Sequence, residues 1–250
     1  MKQNRKTYPR YLSIILAVLE VILARLLHRN RSLRADALQL TGKITPPVTV
    51  EGLTNIPASG GVVVVVNHYA RPGFSTAWTA LSLAATIPME ITFIMSEEWT
   101  FAGNPLGFLL RPLMKFVLAS INEVYGFLPM PSMVEGFSNP LSRAAAVRRV
   151  IEFGRAYPTA VIGLAPEGQD SPDQGIGLAP GGGGKFILHL NRMGFKLLPA
   201  VVQERSGKLI IRFGQVFNIA LEPGLPADAV DGFVRIRIQE QLLALLDSAD

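Results

Sequence analysis

Gly60-Gly61-Val62-Val63-Val64-Val65-Val66-Asn67-His68 is the stretch on which the reading of this chain turns. Five consecutive β-branched residues, set between a glycine pair and a turn, predict a strand buried on both faces. Such strands occur in sheets that carry helices on either side. His68 then falls at the carboxyl end of the strand, the edge where open α/β sheets usually bind ligands. Pro72-Gly73 breaks the chain, and Ser75 is suited to cap a helix over 76–85. An imidazole leaving a strand toward a helix is placed to act as a general base, because its ordinary pKa lies near neutrality. The plainer alternative is a histidine that only hydrogen-bonds a neighbouring loop.

Outward from this strand, short apolar runs alternate with helical patterns. Strands are expected over 48–51, 91–95, 125–130 and 160–164. Residues 197–202 and 209–213 flank Ser206-Gly207 as a hairpin. Asn139-Pro140 starts a helix that Pro158 stops, and further helices are expected over 185–192 and 229–246. Residues 107–119, with Pro112 inside, predict two short helical pieces or one kinked piece facing the core. The fold class is α/β, a mostly parallel, helix-covered sheet with an antiparallel edge.

Composition narrows the function classes. Hydrophobic residues make up 49% of the 250 and charged residues only 17%, enough for a sizeable core. With no cysteine there are no disulfides or thiolate metal sites, which suits a reducing compartment. The three histidines, at 28, 68 and 189, are scattered, so no metal site is expected. Residues 1–35 carry eight positive charges against Glu20, a net +7, which leaves −2 on the remainder. The basic character therefore belongs to the N-terminus. The body lacks the interleaved basic and aromatic groove of a nucleic-acid binder, so no nucleic-acid partner is expected.

The N-terminal segment 12–27 reads LSIILAVLEVILARLL. It is shorter than the roughly 20 apolar residues of a membrane span. No small-residue cleavage site follows it, which argues against a signal peptide. Residues 1–35 are read as a basic, apolar, membrane-associated helix. It either lies in one leaflet with its arginines at the phosphates, or makes a single tilted span, or packs on the domain itself. Residues 36–250 form the α/β domain. The expected location is the cytoplasmic face of a membrane, with membrane lipids as partners.

A second strand end carries Ala165-Pro166-Glu167-Gly168-Gln169-Asp170-Ser171, where a glutamate follows the strand directly. Across a shared cleft this loop would face His68. The glycine run 181–184 before Lys185 is not a Walker loop, since Ala179 holds the first glycine position and Phe186 replaces the serine or threonine. It is read as a flexible lid or loop.

Together, Asn67-His68, then Pro166-Glu167-Gly168 with Ser171, then Leu197-Leu198-Pro199-Ala200-Val201 resemble the glycerolipid and lysophospholipid acyltransferase family, of the 1-acylglycerol-phosphate acyltransferase kind. The lead-in Val50-Glu51-Gly52-Leu53-Thr54-Asn55-Ile56-Pro57 is similar too, and the resemblance covers roughly residues 45–220. It implies a sheet of the glycerolipid acyltransferase type. It also implies that His68 deprotonates an acceptor hydroxyl, which attacks an acyl thioester of CoA or acyl carrier protein. Asn67, Arg71, Glu167 and Gly168 would bind substrate, and the thioester would be a co-substrate, with no metal or other cofactor.

Two departures qualify the resemblance. The family's aspartate, five residues after the histidine, is Gly73 here. Glu97, Asp170 and Asp173, each near a predicted strand end, are the candidates to replace it. The arginine expected after the glutamate-glycine block is Asp170, and the intermediate block ends in Ser132, so no phosphate clamp is evident. Arg71 or Arg111 is left to take that part. A lysolipid, a sugar lipid or another hydroxylated acceptor fits as well as a glycerol phosphate. The rival readings are a non-catalytic lipid-binding relative on the same fold and, more weakly, a serine hydrolase, for which the Gly-x-Ser-x-Gly elbow is missing.

Overall fold

A computed structural model describes residues 8–11, 14–97, 107–131, 140–168 and 175–247. The strands are β1 (Thr49–Glu51), β2 (Val62–Val66), β3 (Ile91–Ser96), β4 (Leu128–Met130), β5 (Val161–Leu164), β6 (Lys196–Arg205) and β7 (Lys208–Phe213). They form one sheet in the order β1-β7-β6-β2-β5-β3-β4. The helices are α1 (Ile15–Leu26), α2 (Leu33–Thr41), α3 (Thr76–Thr86), α4 (Gly107–Tyr125), α5 (Pro140–Ala156), α6 (Gly183–Arg192) and α7 (Val230–Asp247).

The valine run is central. β2 lies between β5 and β6, parallel to both, and all five valines are buried. Because side chains alternate along a strand, Val62, Val64 and Val66 join the core beneath α2 and α3. Val63 and Val65 join the opposite core, built with residues of α5, α6 and α7. Burying each such side chain contributes about 1.5–3 kcal/mol before chain entropy is charged against it. This two-sided burial explains why the strand is uniformly apolar rather than alternating.

The hairpin expected around Ser206-Gly207 is present, with β6 and β7 antiparallel. Ser206 and Gly207 have φ of 50° and 76°, the paired positive values of a two-residue turn that matches strand twist. The antiparallel edge expected from the sequence is made of two strands, β7 and β1. β1 pairs in parallel with β7 and lies outside it.

Two expectations about helices change. Residues 107–125 form one helix that runs through Pro112. Its Leu109, Leu110, Leu113 and Phe116 are exposed, so this part does not face the core. Helix α2 was not foreseen; Ser32 caps it by accepting the Ala35 N–H, and it packs on α3.

At the N-terminus, α1 is fastened to the body. Val21 and Ala24 pack on Val124, and Arg25 pairs with Glu123 at 2.7 Å. Among the described residues no helix is long and apolar enough to cross a membrane. The 12 residues of α1 extend about 18 Å, against roughly 30 Å of hydrocarbon.

Candidate functional site

The site is built where β2 and β5 end. After Val66 the backbone turns away from the sheet, and the Asn67 side chain takes its place in the ladder. Its amide donates to the Val202 carbonyl at 3.0 Å and accepts from the Val202 N–H at 2.8 Å. Asn67 is buried with both polar ends bonded to β6. The amide thereby anchors the end of β2 to β6.

His68 follows, half-buried. Its backbone N–H donates to Glu167 Oε1 at 3.1 Å. The other carboxylate oxygen, Oε2, accepts the Gly177 N–H at 3.0 Å. The two strand-end loops named in the sequence are thus tied together by one buried carboxylate. Burial pushes the Glu167 carboxyl above its ordinary range. The Gly177 and His68 N–H groups and the nearby imidazole oppose that rise without cancelling it. Glu167, expected to contact substrate, is buried, and one of its two backbone bonds holds the His68 peptide. Gly168 is exposed beside it, at φ 66°, its N–H donating to the Ala165 carbonyl across a turn that contains Pro166.

Gly73 has a structural reason. Arg71-Pro72-Gly73-Phe74 is a tight turn closed by reciprocal backbone bonds, Arg71 N–H to Phe74 carbonyl at 3.1 Å and Phe74 N–H to Arg71 carbonyl at 2.9 Å. Gly73 has φ 85°, the value that position i+2 of a proline-led turn demands. A Cβ there would lie 3.1 Å from Arg71 Nη1.

Arg71 is committed elsewhere. Its Nε and Nη2 grip Glu204 Oε2 and Oε1, each at 2.6 Å, and Nη1 donates to the Pro72 carbonyl at 2.6 Å. Tyr69 donates to Glu204 at 2.9 Å and Tyr11 at 2.7 Å. The Tyr8 ring stacks on the guanidinium at 3.6 Å. Glu204 is 1% exposed at its side chain, so this is an interior ion pair. Burial first, and then the bond and charge of Glu204, push the Tyr69 phenol up to about 12 and raise Tyr11 further still. Arg71 therefore holds the loop after His68 in place.

Of the three candidate acids, Glu97 lies at the end of β3, which β5 separates from β2. Two strand spacings amount to about 10 Å. Glu97 pairs with Arg149 of α5 at 3.5 Å instead. Asp170, Asp173 and Ser132 fall outside the described residues. Arg111 is exposed on α4.

Sequence reasoning missed Glu204, Tyr11 and Gly177. A signal for Glu204 was available: one acid continues an apolar run just before a hairpin turn, and the pairing of β6 extends to Arg205. The glycine run before Lys185 is not a loose lid at its helix end. Asp231 of α7 accepts the Gly182 and Lys185 N–H groups at 3.0 and 2.9 Å, filling the start of α6 with a carboxylate.

No protein-family model matches the chain, and no curated protein matches it. Among solved structures it is similar to the 1-acyl-sn-glycerophosphate (LPA) acyltransferase PlsC from Thermotoga maritima, with a TM-score of 0.50 and 14% identity. The match covers 91% of this chain and 79% of that one. A likeness at this identity establishes the shared fold: a mixed α/β architecture with a mostly parallel seven-stranded sheet.

Proposed function

We propose that this protein is an acyltransferase that moves a fatty acyl group from a thioester of CoA or acyl carrier protein to a hydroxyl of a lysophospholipid or related glycerolipid. The observation that carries the reading is the seating of His68. It is half-buried at the carboxyl end of the central strand, with its peptide N–H bound by Glu167 from the next strand end. The fold shared with an acyltransferase agrees with it.

In this mechanism the His68 imidazole takes the proton of the acceptor hydroxyl as the oxygen attacks the thioester carbonyl. The tetrahedral intermediate collapses with loss of the thiolate, which takes the proton from the imidazolium. Its oxyanion requires N–H donors other than those of His68 and Gly177, since Glu167 accepts both. Asp170 and Asp173, which follow Gly168 in the sequence, are our candidates for the acid partner of the imidazole. The chemistry requires no metal or further cofactor. The protein acts as a peripheral enzyme at the cytoplasmic face of a membrane.

The test is thiol release from palmitoyl-CoA, and separately from palmitoyl-acyl carrier protein, with lysophospholipid acceptors and with His68→Ala as the comparison. Lipid-dependent release that falls by about 10²–10⁴-fold in the variant is expected. A second reading, a lipid-binding relative without turnover, is motivated by the glycine at 73 and the internal pairing of Arg71. Silence with both donors, from a protein that still binds lysolipid, would establish that reading instead.

A further inference from the structure

We propose that α1 and α4 together form one monotopic docking face for an anionic lipid bilayer, so that an internal helix of the α/β domain, and not the N-terminal segment alone, enters the lipid. The inference deepens the reading of a membrane-bound acyltransferase and rests on it only for its purpose.

The two helices pack on each other through Val21, Ala24, Ile121 and Val124, and Arg25 lies over the Phe116 ring at 5.2 Å. Each presents an apolar row to solvent. On α1 the exposed residues include Leu16, Leu19, Leu23 and Leu26, which at 100° per residue fall within one stripe. On α4 they are Leu109, Leu113 and Phe116, spaced i, i+4, i+7, with Leu110 alongside. Leu16 is 73% exposed and Leu109 63%, values of side chains that nothing among the described residues covers. Half of the exposed large apolar side chains of the described residues are on these two helices. A patch of this kind on one face marks an interaction surface rather than ordinary scatter.

Charge selects the occupant. Residues 107–122 contain Arg111 and Lys115 but no acid before Glu123. The nearby acids are each paired: Glu123 with Arg25, and Glu20 with Arg31 at 2.9 Å, an arginine it shares with Asp36. His28 and Arg29 are exposed just past the end of α1, and the sequence before α1 adds Lys2, Arg5, Lys6 and Arg10. An apolar stripe rimmed by cations fits acyl chains beneath anionic head groups. The same rim would repel a second copy of the chain.

The experiment is flotation of the full-length protein with phosphatidylglycerol–phosphatidylcholine vesicles and with phosphatidylcholine vesicles, no acyl donor or acceptor being present. The variants are Leu109→Asp/Leu113→Asp on α4, Leu19→Asp/Leu23→Asp on α1, and the distant exposed Leu53→Asp as control. Thermal melts confirm that each folds. Binding that needs phosphatidylglycerol, falls at least about tenfold in the α4 pair as in the α1 pair, and persists in Leu53→Asp is the expected result. An α4 pair that binds like the native protein overturns the proposal, as does native protein that never floats. A concentration-dependent dimer that the α4 pair abolishes would give the face to a second copy. Because the readout is binding, failure of acyl transfer in the thioester assay leaves this result separately readable.

Discussion

Glu167 carries a structural task that its neighbours in sequence do not reveal. A carboxylate directly after a strand looks like a ligand contact, but it is turned inward to accept two peptide N–H groups. Glu167→Gln would keep the shape yet point an amide N–H at one of those donors, a cost of about 1–3 kcal/mol. The pH dependence has a definite sign. Its carboxyl is raised above the ordinary 4.5, so the native state holds that proton more tightly than the unfolded chain. Its contribution is fully present below that ordinary value and is lost as pH rises through the raised native value. Urea unfolding of native protein and Glu167→Gln across the acid-to-neutral range should show the slope only in the native protein. Equal slopes would mean the burial is not felt.

At the scale of elements, the turn Arg71–Phe74 and the start of α6 make opposite demands on sequence. The turn requires a residue at positive φ, which glycine at position 73 supplies without strain. Gly73→Asp should lower stability by about 1 kcal/mol. It should not speed acyl transfer, because the new side chain begins against Arg71 rather than at the imidazole. A variant with both higher melting temperature and faster turnover would contradict this account of the turn. The start of α6 requires an acceptor from elsewhere. Burial alone would raise the Asp231 carboxyl, but the N–H groups of Gly182 and Lys185 and the charge of Arg235 hold it below its ordinary 3.8. The stability it provides is therefore present above that value and lost as pH falls through the lower native one. Asp231→Ala should cost about 0.5–2 kcal/mol at neutral pH and less in strong acid, readable by denaturant titration.

Over the whole molecule, the N-terminal residues reach the loop that carries His68. Tyr11 bonds Glu204, 193 positions later, and packs on Phe74 and Trp78 at ring separations of 5.3 and 5.2 Å. Tyr11 is thereby part of the core under α3. Tyr11→Phe removes one charge-assisted bond from an interior carboxylate, about 1.5–3 kcal/mol, and should lower the melting temperature by several degrees. A melting temperature unchanged from native would mean that the N-terminal residues only cover the loop without supporting it.

Periodicity and β-branching decided a good deal in advance. The five valines at Val62–Val66 admit no other placement than a strand covered on both faces, since any exposed face would leave apolar surface in water. Ser206-Gly207 fixed the hairpin, and Ser75 the start of α3, because turn and cap chemistry is local. What only tertiary structure decided were the partners of polar groups. Nothing near Asn67 in sequence says that its amide will close a ladder with Val202, or that Arg71 will be spent on Glu204. The apolar composition of α4 reads alike for core and for lipid, and only the packing of its neighbours leaves Leu109 and Leu113 outside. Local pattern fixes what each segment becomes, whereas the pairing of buried charges depends on which strands lie side by side, and that is a property of the assembled sheet.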